Sequence, residues 1–375
     1  MTRILTLLLA LGLVAACTTG DETNPFNRAA EDAGGDGTDG DADGDADGDT
    51  PPGDDGEPIE SDRVLPPGTA SPTPDAGIFR REARDEELGN GFAESVSYDE
   101  QNDLFYVDNL GFDGDNFYAR DDQVPSLDTA TPGSRRDTGR FAVYENTGTV
   151  TDPLNSEPIN QFAHKGIYAV SMSGSTEFAI VRTGAYQGYG FGGYIYQRND
   201  TDAAGNPVSV TLPTSGQANY QGEYAGLRDF QNRGGLEYVS GDVNMAIDFE
   251  DFNDPTAVQG EIVNRRVYAM DGTDITQTIV DALGTGGSAL PILSFKVGSG
   301  VLDENGEITG EAFSTYVSVD GSGNATIEEY EAGNYYAILS GDNAEEVVGI
   351  VVVEGEDPRN ENVTFRETGG FIATR

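Results

Sequence analysis

The sequence has no tryptophan, one cysteine and one histidine in 375 residues. Each scarcity removes chemistry. Without a second cysteine there is no intramolecular disulfide and no zinc or redox centre built on thiolates, so stability must come from packing. A single imidazole, His164, leaves little material for a nucleophile and base pair, which needs a placed imidazole. The missing tryptophan removes a frequent sugar-stacking platform of glycosidases. Carboxylate pairs such as Asp248 with Glu250, or Asp251 with Asp254, arise by chance among 66 acidic residues. The expectation is a protein that is not an enzyme. His164, within Phe162-Ala163-His164-Lys165-Gly166, reads as a turn or surface residue, with a base or a haem ligand as the alternatives. Basic charge is scarce as well: 21 Lys and Arg face 66 Asp and Glu, a net charge of −45. Nucleic acid, whose phosphates need basic clusters, is excluded as a partner.

A run long enough to span a bilayer is also missing, since a transmembrane helix needs about 20 apolar residues. The apolar run at 4–14 is shorter, follows Arg3, and ends in Ala15 and Ala16 before Cys17. This is the layout of a cleaved secretory signal. Residues 1–16 therefore read as a signal peptide. Val14-Ala15-Ala16-Cys17 resembles the lipobox of bacterial lipoproteins, which implies that Cys17 is the lipidated first residue of a membrane-anchored, exported chain. Residues 17–76 are rich in Asp, Gly, Pro, Thr and Ala, with Phe26 the one aromatic among them. Such a segment cannot bury enough apolar surface to offset its ordering entropy, so a disordered acidic tether is expected. Within it Asp43, Asp45 and Asp47 have the spacing of calcium-loop ligands. Pro51 and Pro52 interrupt that loop and Asp54 stands where a bidentate Glu belongs, which favours a self-repelling spacer over a calcium site.

From about residue 77 onward short alternating segments and closely spaced turn signals predict β structure. Val243-Asn244-Met245-Ala246-Ile247-Asp248-Phe249 places large apolar residues at every second position, as a strand with one buried face requires. Strands are expected at 217–226, 236–249, 258–268, 290–299, 309–319, 325–339, 345–354 and 363–374, with one short helix near 275–283. An even set of sequential antiparallel strands suits an up-and-down barrel, which removes both exposed edges. No tall lipid-facing apolar band accompanies them, so the barrel is not expected to be a pore. Residues 77–213 read as a second β-rich domain, joined at Leu212-Pro213-Thr214-Ser215-Gly216 to the barrel at 214–375.

Several runs in the barrel region are familiar. Ala218-Asn219-Tyr220-Gln221-Gly222-Glu223-Tyr224, then Ala246-Ile247-Asp248-Phe249, then Gly260-Glu261-Ile262, and above all the stretch Gly333-Asn334-Tyr335-Tyr336-Ala337-Ile338-Leu339-Ser340-Gly341-Asp342-Asn343-Ala344-Glu345-Glu346-Val347-Val348-Gly349, resemble the C-terminal barrel of the transferrin-binding protein B and factor H-binding protein lipoproteins. Gly370-Phe371-Ile372-Ala373 is similar to their final strand. The resemblance implies an all-β chain: an eight-stranded antiparallel barrel preceded by a smaller, handle-like β domain and the tether. It further implies a binding protein whose variable loops choose the ligand. Thr18 rather than Asp after Cys17 favours the outer membrane by the sorting tendency of Gram-negative lipoproteins, with a surface-exposed chain expected and a periplasm-facing one as the alternative. Partners implied are an iron- or haem-carrying protein of the host or environment, or an outer-membrane transporter. No cofactor is required; haem is the one candidate. Tyr186, Tyr189, Phe191, Tyr194 and Tyr196, in a glycine- and tyrosine-rich stretch, are the candidate contacts, because tyrosines are low-entropy anchors and can ligate iron. The same residues also fit plain strand and turn packing. A structural or assembly lipoprotein of the envelope is the other reading.

Overall fold

The computed structural model describes residues 65–83, 92–113, 117–121, 123–129, 141–146, 148–250, 257–295, 301–319 and 323–375. The signal segment, Cys17, and Asp43, Asp45 and Asp47 lie outside them. The described residues belong to one compact unit in which a sheet packs on a closed barrel.

The sheet comprises β1 (Ile78–Arg81), β2 (Val96–Asp99), β3 (Leu104–Val107), β4 (Phe117–Arg120), β5 (Ala142–Asn146), β8 (His164–Val170), β9 (Thr176–Thr183) and β10 (Gly192–Arg198), with a side hairpin of β6 (Thr149–Thr151) and β7 (Pro158–Asn160). Its order is β1-β10-β9-β8-β5-β4-β3-β2. The chain starts at one edge, crosses to the other and meanders back until β10 lies against β1. The free side of β1 is covered by the segment before it: Thr69 N–H donates to the Phe79 carbonyl and Arg81 N–H to that of Pro67. An exposed edge strand is thereby avoided.

The barrel comprises β11 (Gln217–Gln231), β12 (Glu237–Asp248), β13 (Val258–Ala269), β14 (Leu293–Phe295), β15 (Glu307–Val319), β16 (Ala325–Ser340), β17 (Glu346–Glu356) and β18 (Thr364–Thr374), closed in chain order by β18 on β11. All eight expected strands are present, and the expected helix is α1 (Thr276–Leu283). The Asp274 carboxylate accepts from the Thr276 N–H at its start. Gly284, at φ 69°, ends it in the left-handed conformation that glycine adopts without steric cost.

The barrel is filled by side chains, among them Tyr220, Val243, Ile262, Leu293, Tyr335 and Phe371, as an eight-stranded barrel of this width permits. Within that core lies a buried ionic cluster. Glu367 accepts from Arg228 Nε (2.8 Å), Arg265 Nη2 (2.8 Å) and the Tyr224 hydroxyl (2.7 Å). Glu331 pairs with Arg265 and accepts from Ser314 at 2.9 Å. Two guanidinium groups thus face two carboxylates. Burial pushes the Glu367 carboxyl up, but Arg265 and Arg228 outweigh it and hold the group well below its ordinary value.

One side of the barrel wall is also buried from outside. Ile78, Ile167, Phe178, Ile180, Tyr194 and Tyr196 of the sheet form a second core with Ala225, Leu227, Ile338, Val348, Ile350 and Ile372 of the barrel. This explains β17, whose centre Val347-Val348-Gly349-Ile350-Val351-Val352-Val353 is continuously apolar while β12 alternates. A strand covered on both faces needs no polar side. Charged ties cross the same interface. Arg80 grips Glu307 with two bonds of 2.6 and 2.7 Å, Arg182 donates to the Thr368 hydroxyl at 2.8 Å, and Glu346 accepts from Thr176 and Ser173.

The expectation of disorder through residue 76 is corrected over residues 65–76. Arg80 donates to the carbonyls of Pro66 and Thr69. Arg198 donates to those of Thr73 and Ala76 and also to Asn305 and Leu339 of the barrel. A proline-rich segment is poor in N–H donors but keeps its carbonyl acceptors, and two guanidinium groups use them.

Candidate functional site

The segment 186–196 divides at Gly192. Its second half is β10, where Tyr194 and Tyr196, two positions apart, share the face turned to the barrel and are 5% and 0% exposed. Tyr194 stacks on Tyr336 with ring centroids 6.4 Å apart. These two tyrosines are interface core. The alternation Tyr194-Ile195-Tyr196 is the sequence signal for that placement.

The first half is a loop fastened to the barrel rim. Tyr189, at φ 40°, donates its N–H to the Phe230 carbonyl (3.1 Å), and Asn232 N–H donates to Gln187 (2.6 Å). The Tyr189 hydroxyl lies 3.0 Å from Thr364 Oγ1, and the Arg366 guanidinium sits over its ring at 4.6 Å. Burial pushes the Tyr189 phenol up to about 12.

Tyr186 and Phe191, half-buried, join Phe112 and Phe162 in a four-ring cluster. Centroids are 4.8 Å apart for Tyr186–Phe191, 5.2 Å for Tyr186–Phe162, 5.2 Å for Phe112–Phe162 and 6.4 Å for Phe112–Phe191. Three connections supply the rings: β3–β4 gives Phe112, β7–β8 gives Phe162, and β9–β10 gives the other two. Phe112 is 59% exposed and holds φ at 64°, an uncommon conformation for a bulky residue and one that repays notice at a surface. The Phe162 N–H donates to the Phe112 carbonyl at 2.9 Å, joining two of the loops. On the adjoining β6–β7 hairpin Leu154 is 94% and Ile159 43% exposed.

Buried polar groups stand directly behind the cluster. Asp113, next to Phe112, accepts from the Tyr118 hydroxyl at 3.2 Å, and burial pushes its carboxyl up to about 6 despite that bond. His164 corrects the expectation of a turn or surface residue: it opens β8 and is fully buried. Its Nδ1 lies 3.0 Å from the Phe162 carbonyl, its N–H donates to Asn146 Oδ1 at 2.9 Å, and its ring meets the edge of Tyr118. With Nδ1–H as the donor to that carbonyl, Nε2 is left as a buried acceptor without a hydrogen-bond partner. Burial lowers the imidazole to about 4, against the raising effect of the Phe162 bond. Its neighbours in sequence, the charged Lys165 and Gly166, gave no hint of this, because Tyr118 of β4 covers the ring and Asn146 of β5 holds the backbone N–H.

Phe112 and Phe162 were not among the expected contacts. They come from separate connections, and nothing in their local spacing marks them; only the fold brings them to Tyr186 and Phe191. No group of three or more potential metal ligands occurs among the described residues. Cavities of about 440, 270 and 200 Å³ are lined by other residues than the five expected aromatics.

No family model matches the chain, and no curated protein does. Among solved structures it is similar to the vaccine antigen transferrin binding protein B of Haemophilus parasuis Hp5. A double-mutant form has 12% identity and a TM-score of 0.31, covering 63% of this chain and 37% of that one. A single-mutant form has 12% identity and a TM-score of 0.30, covering 65% and 42%. The chain thus spans about two fifths of the length of those structures. That antigen is of the kind the barrel motifs resemble; the fold assignment rests on the closed barrel and the sheet themselves.

Proposed function

We propose that the chain is a lipid-anchored binding protein of the outer membrane, attached through Cys17, that captures a protein partner through the four-ring cluster of Phe112, Phe162, Tyr186 and Phe191. The cluster carries the reading. Partly exposed aromatic rings held by a rigid frame are the usual anchors of protein recognition, since they present large area at little entropic cost. Leu154 and Ile159 add exposed apolar side chains on the β6–β7 hairpin that leads into Phe162. A protein partner is favoured over bare haem because Tyr194 and Tyr196 are spent on the interface core and His164 is enclosed. The antigen to which the chain is similar is named for transferrin binding, so an iron-loaded carrier protein belongs among the probes.

The test immobilises the full mature chain and titrates it with iron-loaded transferrin, a haem-carrying protein and haemin. One of the two proteins is expected to bind saturably, and the F112A/Y186A variant to weaken it at least about tenfold, which is the low end of what two anchor residues contribute. Undiminished binding by that variant would refute the cluster as the contact. Saturation by haemin alone would replace the protein reading, and saturation by none would favour an assembly role in the envelope. Incorporation of a labelled fatty acid, lost in Cys17→Ser, tests the anchor.

A further inference from the structure

The barrel wall is not continuous along β16. On one side residues 315–319 of β15 pair with residues 325–329 of β16. On the other side β17 joins β16 only from Ala332, opposite Glu354. Beyond that point β17 stays with β18, as Gly355 with Phe365 and Glu356 with Thr364. The Tyr330 carbonyl still lies against Gly355, but residues 325–329, all exposed, have no neighbour in the β16–β17 ladder, and there the seam between the two strands is open. The cause is a β-bulge: the β15–β16 register shifts after Ser314, so that Tyr330 is the extra residue. Bulges bend a strand and break its pairing. Tyr330 turns into the barrel, 5.4 Å from the Phe365 ring, and the ribbon beyond it leaves the wall.

A cavity of about 440 Å³ occupies the opening, lined among others by Leu283, Tyr316, Glu329, Tyr330, Glu354 and Glu356. Among the described residues no Lys, Arg or His lines it. Arg366, which Glu354 helps to keep charged, is itself paired with Asp229 at 2.6 Å, and Arg228 behind Tyr330 is held by Glu367. The ribbon's outer face is apolar: Val317, Val319 and Ile327 are 52%, 61% and 75% exposed, and Val317 pairs directly with Ile327. An unpaired strand edge, an apolar ribbon face and three carboxylates thus adjoin.

We propose that the open seam between β16 and β17 is a docking site for an extended, Lys- or Arg-bearing segment of the partner protein, which pairs its backbone with the free edge of β16 and sets basic side chains among Glu329, Glu354 and Glu356. Edge pairing supplies the backbone bonds, and the alternate side chains supply selectivity. The carboxylates select against acidic segments. The site is tied to the loop that carries Tyr186 and Phe191, because Thr364 both lines the cavity and meets the Tyr189 hydroxyl of that loop. The inference rests on the reading that this protein captures a polypeptide, and adds the charge and conformation of the segment captured.

The test titrates the full mature chain at physiological ionic strength with a fluorescent peptide of alternating lysine and valine, about eight residues long so as to span the free edge. Saturable binding is expected, weakened at least about tenfold in E329Q/E354Q/E356Q. The charge-matched variant E100Q/E157Q/E250Q, altered at exposed carboxylates outside the seam, should change it less than about twofold if the seam rather than net charge is responsible. The same lysine–valine peptide methylated at every backbone nitrogen, with equal charge but no N–H donor for strand pairing, should bind at least about tenfold more weakly. Equal weakening by both triple variants, or equal binding of the N-methylated peptide, would overturn the proposal. F112A/Y186A should leave peptide binding intact, so failure of the aromatic contact and failure of the seam are told apart.

Discussion

At the scale of single residues, the ionisable groups fall into two kinds. Glu331 and Glu367 are buried but answered by Arg265 and Arg228, and the two guanidinium groups hold the Glu367 carboxyl well below its ordinary value. Asp113 and His164 are buried without an opposite charge bonded to them, and each is displaced toward its neutral form. His164, at about 4 in the fold against about 6.5 in an unfolded chain, is protonated in the unfolded state first as pH falls. Stability from its neutral burial is present above about 6.5 and is lost as pH drops toward 4. Asp113, raised to about 6, acts in the opposite sense: its burial costs most above 6 and is relieved below. Replacing His164 by Asn should therefore flatten the acid limb of the stability profile by about 2–3 kcal/mol between pH 7 and 4.5. Urea denaturation across that range measures it, and an unchanged limb would mean that the imidazole takes up its proton as readily in the fold as in the unfolded chain.

Among the elements, strands reveal in their composition how many faces are covered. β17 is covered twice, by the barrel interior and by the sheet, and Ile350 on its sheet-facing side is fully buried. Ile350→Ala should cost about 2–5 kcal/mol. Gln221→Ala on the exposed face of β11 should stay within about 0.5 kcal/mol. Equal effects in chemical denaturation would contradict the second core. All eight barrel strands could be read from the sequence because each has an interior face to declare and a turn on either side. Less could be read of the partnership between sheet and barrel. An apolar run such as that of β17 reports burial on both faces without naming what covers the outer one. The ordering of residues 65–76 was illegible for a related reason, since it depends on Arg80 and Arg198 supplied from β1 and β10. In the candidate site, Tyr186 and Phe191 could be found from composition, whereas Phe112 and Phe162 owe their place to the convergence of three connections.

At the scale of the whole molecule, sheet and barrel behave as two walls of one structure. Without the sheet, the barrel at 214–375 would expose Leu227, Ile338, Val348, Ile350 and Ile372 as a contiguous apolar patch and strip Glu307 and Glu346 of partners. Such a patch on an isolated domain drives association. Expressed alone, that segment should aggregate or bind a hydrophobic dye strongly, while a chain starting at Leu65 should melt in a single cooperative transition. A dispersed, cooperatively melting barrel would show that the two parts fold independently. The guanidinium grips on residues 66–76 have a mechanical corollary. Tension arriving along the chain before Leu65 meets carbonyls of Pro66, Thr69, Thr73 and Ala76 that are held by Arg80 and Arg198. Those side chains are in turn fixed to the barrel at Glu307, Asn305 and Leu339. A pull is thus shared among several bonds loaded together, as in a riveted joint, and is carried into the barrel before it can peel β1 from β10 one rung at a time.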